Sequence, residues 1–288
     1  MSALIELSPA KINMFLHVTG RRPDGYHDLE SMVCFSNNIA DKLIYTPSDD
    51  PFHLGIKGPF AKDVPTGPEN TIIQALELLK KSVEIDIKGQ LVLEKNLPVA
   101  SGMGGGSGNA AAALRVISRH HKLNSPAVLY KIASMIGADV PVCLAVSAAY
   151  MRGTGDEIIK LPNWPPCPIV LVNPGVPLAT KDVFAGLDIP FSPPLVRSYM
   201  PPQDIVRYIE WMWQFTNSLT DTAKGLCPEI SDIIKAFIQQ KGCKLTRMTG
   251  SGATCFGLFE SISMAEKAAE DIKRSYPEWW VAAGTLNE

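Results

Sequence analysis

"LPVASGMGGGSGNAAAAL", residues 97–114, sets five glycines and two serines ahead of an alanine run. A glycine-rich turn that feeds a helix offers unpaired N–H groups and the positive end of the helix dipole to an anion, and phosphate is the natural occupant. No Gly-Lys-Ser/Thr closes the loop, so it is not a Walker A loop. Gly102-x-Gly104 is followed by Ser107 where the dinucleotide fingerprint needs its third glycine. Ser107 or Asn109 is expected to cap the helix through "AAAALRVISRHHK", whose alanines favour helix and whose basic residues gather at its carbonyl end. The apolar strand before the loop and the alanine helix after it set it apart from a mobile surface turn.

Upstream, "ALIELSPAKINMFLHV" alternates Lys11, Asn13, Phe15 and His17 with Ile12, Met14, Leu16 and Val18. Period two predicts a strand with Lys11 and Asn13 on one face. Pro23-Asp24-Gly25 predicts a turn, apolar runs near 32–46 and 91–93 predict strands, and "NTIIQALELLKKS" has helical spacing. Downstream, Ser125-Pro126 opens a helix that Gly137 ends, which leaves "ADVP" in a junction. Prolines interrupt the pattern at 161–168, the expected domain boundary. Beyond it come a strand "IVLVNPG", amphipathic helices near 203–215 and 226–241, a hairpin "CKLTRMTGSGATCFGLFE", a helix "SMAEKAAEDIKRSY" and a strand "WWVAAG". The pattern is α+β without strict βαβ repetition.

The 288 residues suit one large or two medium domains, and the net charge of -2 gives no electrostatic case for a nucleic-acid polymer or an anionic membrane. A small-molecule partner is expected. Six cysteines stand singly, several within apolar runs, and read as reduced core thiols. The start has the form of no signal peptide and no run approaches the ~18 apolar residues of a membrane span, so a cytoplasmic location is expected. The five histidines lack metal spacing, and adjacent His120 and His121 are expected to meet the last carbonyls of their helix. Trp211 and Trp213 are expected to pack between helices.

On the residues alone, Asp139 reads as a helix N-cap or a catalytic carboxylate, and Lys11 as a protective charge on an edge strand or a catalytic cation. Tyr26 and His27 read as a packing pair.

The loop resembles the second motif of the GHMP small-molecule kinases. "SPAKINMFLHVTGRRPDGYHDLESMV", "IGADVPVCL" and "RMTGSGATCFGLF" match three further segments of the same family in the same order. The likeness runs from about residue 8 to 260 and is strongest at these islands. It implies a two-domain GHMP kinase fold: an ATP-loop domain over 1–160, ribosomal-protein-S5-like, and a ferredoxin-like domain over 161–288. It implies ATP and Mg²⁺ as cofactors. The ATP-binding positions it gives are Pro98, Val99, Ala100, Ser101, Gly102, Met103, Gly104, Gly105, Gly106, Ser107 and Gly108.

The Tyr-His pair directly after "RRPDG" is similar to the branch whose acceptor is the 2-hydroxyl of 4-diphosphocytidyl-2-C-methyl-D-erythritol, in the non-mevalonate route to isoprenoids. That implies a substrate carrying a cytidine diphosphate. In this branch Asp139 is the general base and Lys11 the cation that orients the hydroxyl. Thr180 contacts substrate, Asn13 hydrogen-bonds substrate or braces Lys11, and Tyr26, His27 and Phe184 read the cytosine. The Thr249–Gly252 turn supports the ATP loop. Two departures stand out. Gly108 replaces the branch's second serine, which leaves the Mg²⁺ ligands unassigned, and Asn217-Ser218 replaces its Asn-Asp. The rival readings are a GHMP kinase for another alcohol, homoserine- or mevalonate-like, and a non-catalytic nucleotide sensor. Tyr26-His27 speaks against the first, and retention of Lys11 with Asp139 against the second. Oligomeric state, monomer or weak homodimer, is left open.

Overall fold

The structure is a computed structural model and describes residues 2–161, 164–188, 190–195 and 201–287. Pro162 and Asn163, within the expected boundary, lie outside the described residues. The chain forms two compact units that interleave along the sequence: 1–10, 40–99 and 104–146 in the first, 11–39, 100–103 and 147–288 in the second.

Strand β1 (Leu4–Arg21) pairs with the long β2 (His27–Pro51), and both strands run through the two units. In the first unit the carboxy-terminal half of β2 pairs antiparallel with β4 (Lys88–Glu94), which pairs parallel with β3 (His53–Lys57). Helix α1 (Thr71–Val83) joins β3 to β4. Asn70 caps it, its Oδ1 accepting the Ile72 N–H at 2.8 Å. Ile72, Ala75, Leu76 and Leu79 give it a buried stripe at helical spacing. Helix α2 (Gly105–His120) is buried nearly all round, and its alanine run lets α1 and the short α4 (Val140–Ala145) pack closely against it. α3 (Pro126–Ile136) has proline in its first turn and ends at Gly137, as predicted.

In the second unit the amino-terminal half of β2 pairs with β5 (Ala149–Gly153), and β5 with β6 (Glu157–Lys160). A separate antiparallel sheet has the order β10-β7-β9-β8, from β7 (Cys167–Asn173), β8 (Cys243–Met248), β9 (Cys255–Phe259) and β10 (Trp280–Leu286). Its core joins Val170, Val172, Cys255 and Phe259 to Ile230, Ile233 and Phe237 of α8 (Glu229–Ile238) and to Ala265, Ala268 and Ile272 of α9 (Ile262–Ser275). The remaining helices are α5 (Thr180–Ala185), α6 (Ile205–Met212) and α7 (Thr220–Leu226). α5, α7, β3, β5 and β6 had no counterpart in the sequence reading, each being too short to show a period.

All six cysteines are free thiols, and burial pushes Cys227 and Cys243 up to about 11 and Cys34 up to about 12. Among the described residues no helix is long and apolar enough to cross a membrane. Two local expectations are corrected. The His120 ring sits edge-on to Tyr45 rather than on helix carbonyls, because the aromatic neighbour is within reach. Trp211 packs on Phe215, but Trp213 is exposed, its Nε1 donating to the Lys244 carbonyl.

Candidate active site

The loop starts from a clamp. Asp41 Oδ1 accepts the N–H groups of Asn96 and Leu97 at 2.7 and 2.8 Å, and its Oδ2 takes the Lys95 ammonium at 2.5 Å. This ion pair is buried, with Lys95 3% and Asp41 0% exposed. Burial lowers the lysine's pKa and the carboxylate beside it acts in the opposite direction. Nothing in the sequence joined two residues so far apart, and Lys95 alone reads as an ordinary surface charge.

Between the clamp and α2, Ala100, Gly102 and Gly104 all take left-handed backbone, with φ of 51°, 77° and 65°. The cap prediction is corrected here. The helix begins at Gly105 with Gly104 at the N-cap and no side-chain cap, so Ser107 lies in the first turn and Asn109 is buried inside the helix. The left-handed turn at Gly104, rather than a polar side chain, sets the start. The first turn then keeps N–H groups without intrahelical partners, while the Gly108 N–H closes onto the Gly104 carbonyl at 2.7 Å. The amino end of α1 adjoins it, since Thr71 Oγ1 donates to the Gly106 carbonyl at 2.9 Å. Gly108 is a packing position: a Cβ there would come within 2.6 Å of Ser8 Oγ, a fully buried hydroxyl with no hydrogen-bond partner.

In the second unit the turn after β8 braces the loop. A Cβ on Gly102 would lie 2.6 Å from the Thr249 carbonyl oxygen and 2.7 Å from that of Gly252. The Thr254 N–H donates to the Ser101 carbonyl. Asn217 Nδ2 donates to the Met248 and Gly250 carbonyls at 2.9 and 2.8 Å while its Oδ1 accepts the Leu219 N–H, so this side chain holds the turn. Ser218 Oγ accepts the Val18 N–H at 3.1 Å and lies 3.2 Å from Ser192 Oγ. Both residues of the departing Asn-Ser pair are therefore engaged with protein.

Lys11 is 3% exposed, and its backbone N–H donates to the Met103 carbonyl at 3.1 Å. Protection of a sheet edge needs an exposed lysine, so that reading is removed. Asn13 donates through Nδ2 to Ser31 Oγ and through its N–H to Thr249 Oγ1, both at 2.8 Å, and leaves a buried Oδ1 unpaired. In the first unit Asp139 stands at the N-cap of α4, yet its side chain makes no cap bond. A plain capping role is therefore not what its carboxylate performs.

Tyr26 is 66% exposed beyond the Pro23-Asp24-Gly25 turn. The His27 and Phe184 rings lie 5.2 Å apart at 31°, Phe184 coming from α5. Burial first, then the charge of Arg21, holds the His27 imidazole below its ordinary pKa. Thr180 Oγ1 and Ser251 Oγ are 2.8 Å apart, so Thr180 joins the turn that braces the loop. Among the described residues no three His, Cys, Asp or Glu side chains gather to hold a metal.

Residues 70–147 match the family described as GHMP kinases N terminal domain, and residues 202–278 that described as GHMP kinases C terminal. The 4-diphosphocytidyl-2-C-methyl-D-erythritol kinase of Dinoroseobacter shibae is 43% identical over 97% of this chain and 93% of its own. A crystal structure of 4-(cytidine 5'-diphospho)-2C-methyl-D-erythritol kinase superposes with a TM-score of 0.80 at 31% identity, covering 99% of this chain and 100% of the other. A homoserine kinase from Cytophaga hutchinsonii shares the fold, with a TM-score of 0.72 at 17% identity over 99% of this chain and 95% of the other. On full-length identity to named members and on both family domains, the chain belongs to the 4-diphosphocytidyl-2-C-methyl-D-erythritol kinases of the GHMP kinase family.

Proposed function

We propose that this protein transfers the γ-phosphoryl group of ATP to the 2-hydroxyl of 4-diphosphocytidyl-2-C-methyl-D-erythritol, in the cytoplasm. The observation that carries the substrate is the His27–Phe184 ring pair, with the exposed Tyr26 preceding His27 in the chain: aromatic faces and one polar edge are suited to a base. Along the chain we assign 1–160 to the ATP-loop domain and 161–288 to the ferredoxin-like domain; the two family matches lie on either side of that division.

The residues present fit a nucleotide's phosphates. The first turn of α2 offers N–H groups, and glycines at 104, 105 and 106 leave the backbone open to approach. Mg²⁺, when bound with the nucleotide, supplies charge neutralisation. The half-buried Ser107 in that turn is the side-chain oxygen we assign to the metal or the phosphates. Asp139 removes the proton from the acceptor hydroxyl, Lys11 orients that hydroxyl and favours its ionised form, and the unpaired Asn13 Oδ1 accepts a hydrogen bond from the substrate. Tyr26 stacks on the cytosine, Phe184 covers the other side, and His27 hydrogen-bonds its edge. Thr180 contributes through the turn it shares with Ser251.

The test is ADP release with 4-diphosphocytidyl-2-C-methyl-D-erythritol beside homoserine and mevalonate. Turnover is expected with the cytidyl alcohol, and turnover confined to another alcohol overturns the proposal. A pH dependence follows from His27. Its folded pKa lies below 6.5, so the ring stays neutral above that pH and gains a proton only as pH falls beneath the lowered value. KM for the cytidyl alcohol is expected to be level above pH 6.5 and to rise below it, with the rise absent in His27→Gln. An equal rise in both proteins would assign it to another group.

A further inference from the structure

The loop lacks the lysine of a Walker motif, yet an ammonium stands against the first residue of its helix. Lys95 Nζ would be 3.1 Å from a Cβ on Gly105, and glycine leaves that space open. Of the three donors of this buried ammonium, one is used within the described residues, on Asp41 Oδ2. The Asp41 carboxylate is itself shared, since two backbone N–H groups reach its other oxygen. A cation at a helix amino terminus lies at the unfavourable end of the dipole, so α2 adds nothing to balance it. Asp41 balances the charge, but among the described residues no second acceptor reaches the ammonium.

We infer that Lys95 is the fixed cation of the loop, its ammonium reaching through the gap at Gly105 to a phosphate oxygen of a nucleotide seated on the first turn of α2. Asp41 positions it: the carboxylate fixes the ammonium and, through Asn96 and Leu97, the course of the chain into the loop. A Walker lysine inside its loop brings the same charge from the sequence neighbour, whereas here it comes from the end of β4. This rests on the ATP-loop reading and on no particular acceptor alcohol.

Calorimetric titration with ADP and with adenosine, acceptor absent, tests it. Lys95→Met is expected to weaken ADP binding by about tenfold or more and to leave adenosine binding unchanged. If Lys95 merely braces the loop, the two ligands weaken together, and that result, or unchanged ADP binding, overturns the inference. Lys95→Met with Asp41→Asn avoids stranding a buried carboxylate and is read the same way where the single variant does not fold. Gly105→Ala has ordinary helical backbone and keeps the ion pair, while its methyl screens the ammonium. ADP binding is expected to weaken about fivefold or more in a protein that still folds, and unchanged binding again overturns the inference. Because no alcohol is present, a failed turnover assay with the cytidyl substrate leaves this result standing, and the reverse holds.

Discussion

Asp139→Asn protein is expected to fold with an unchanged Tm, bind ATP with an unchanged KM and lose about 10²–10⁴ in kcat, the range a positioned general base contributes. The substitution keeps the shape of the side chain and removes its negative charge and with it its ability to take up a proton. The start of α4 should survive because asparagine is as acceptable as aspartate at an N-cap. The loss corresponds to about 3–5 kcal/mol in the barrier. Steady-state kinetics at saturating ATP, with a thermal melt of the same preparation, checks both halves. Full turnover in a well-folded variant would remove Asp139 from the chemistry.

Gly102→Ala is expected to disrupt both the fold and the loop. At φ 77° an L-residue costs about 1–2 kcal/mol. The added Cβ would press on the carbonyl oxygens of Thr249 and Gly252 at 2.6 and 2.7 Å, both backbone atoms that cannot rotate away. Overpacking of that kind adds about 1–3 kcal/mol. Together they predict a fall in Tm of roughly 5–10 °C and a rise in KM for ATP, since the loop and the turn that braces it must part. Differential scanning calorimetry and ATP titration measure the two effects. Wild-type values in both would mean that the loop does not depend on this contact.

The contrast between Gly102 and Gly105 shows what the sequence made legible. Five glycines in twelve residues announced an anion loop before a helix, because glycine and alanine act through backbone properties that composition displays directly. Which glycine turns the chain and which opens a gap is decided by contacts from residues 95 and 249–252, distant in sequence. β1 was readable from its alternation, yet every residue from Ser8 to Val18 is buried, so polar Lys11 and Asn13 sit in an interior that the pattern alone describes as half-solvated. The helix start was misplaced because a left-handed glycine did the work usually done by a capping side chain. The Asp41–Lys95 pair was invisible for another reason: long-range ion pairs leave no periodicity. The kinase resemblance supplied the roles of Lys11, Asp139, Tyr26 and His27, which spacing left undecided.

Gly108 meets the hydroxyl of Ser8 where a side chain of its own would stand. The two positions are therefore epistatic. A serine placed at 108 is expected to compete with Ser8 for one small volume, and to be accommodated when residue 8 gives up its hydroxyl, as in Ser8→Ala or Ser8→Gly.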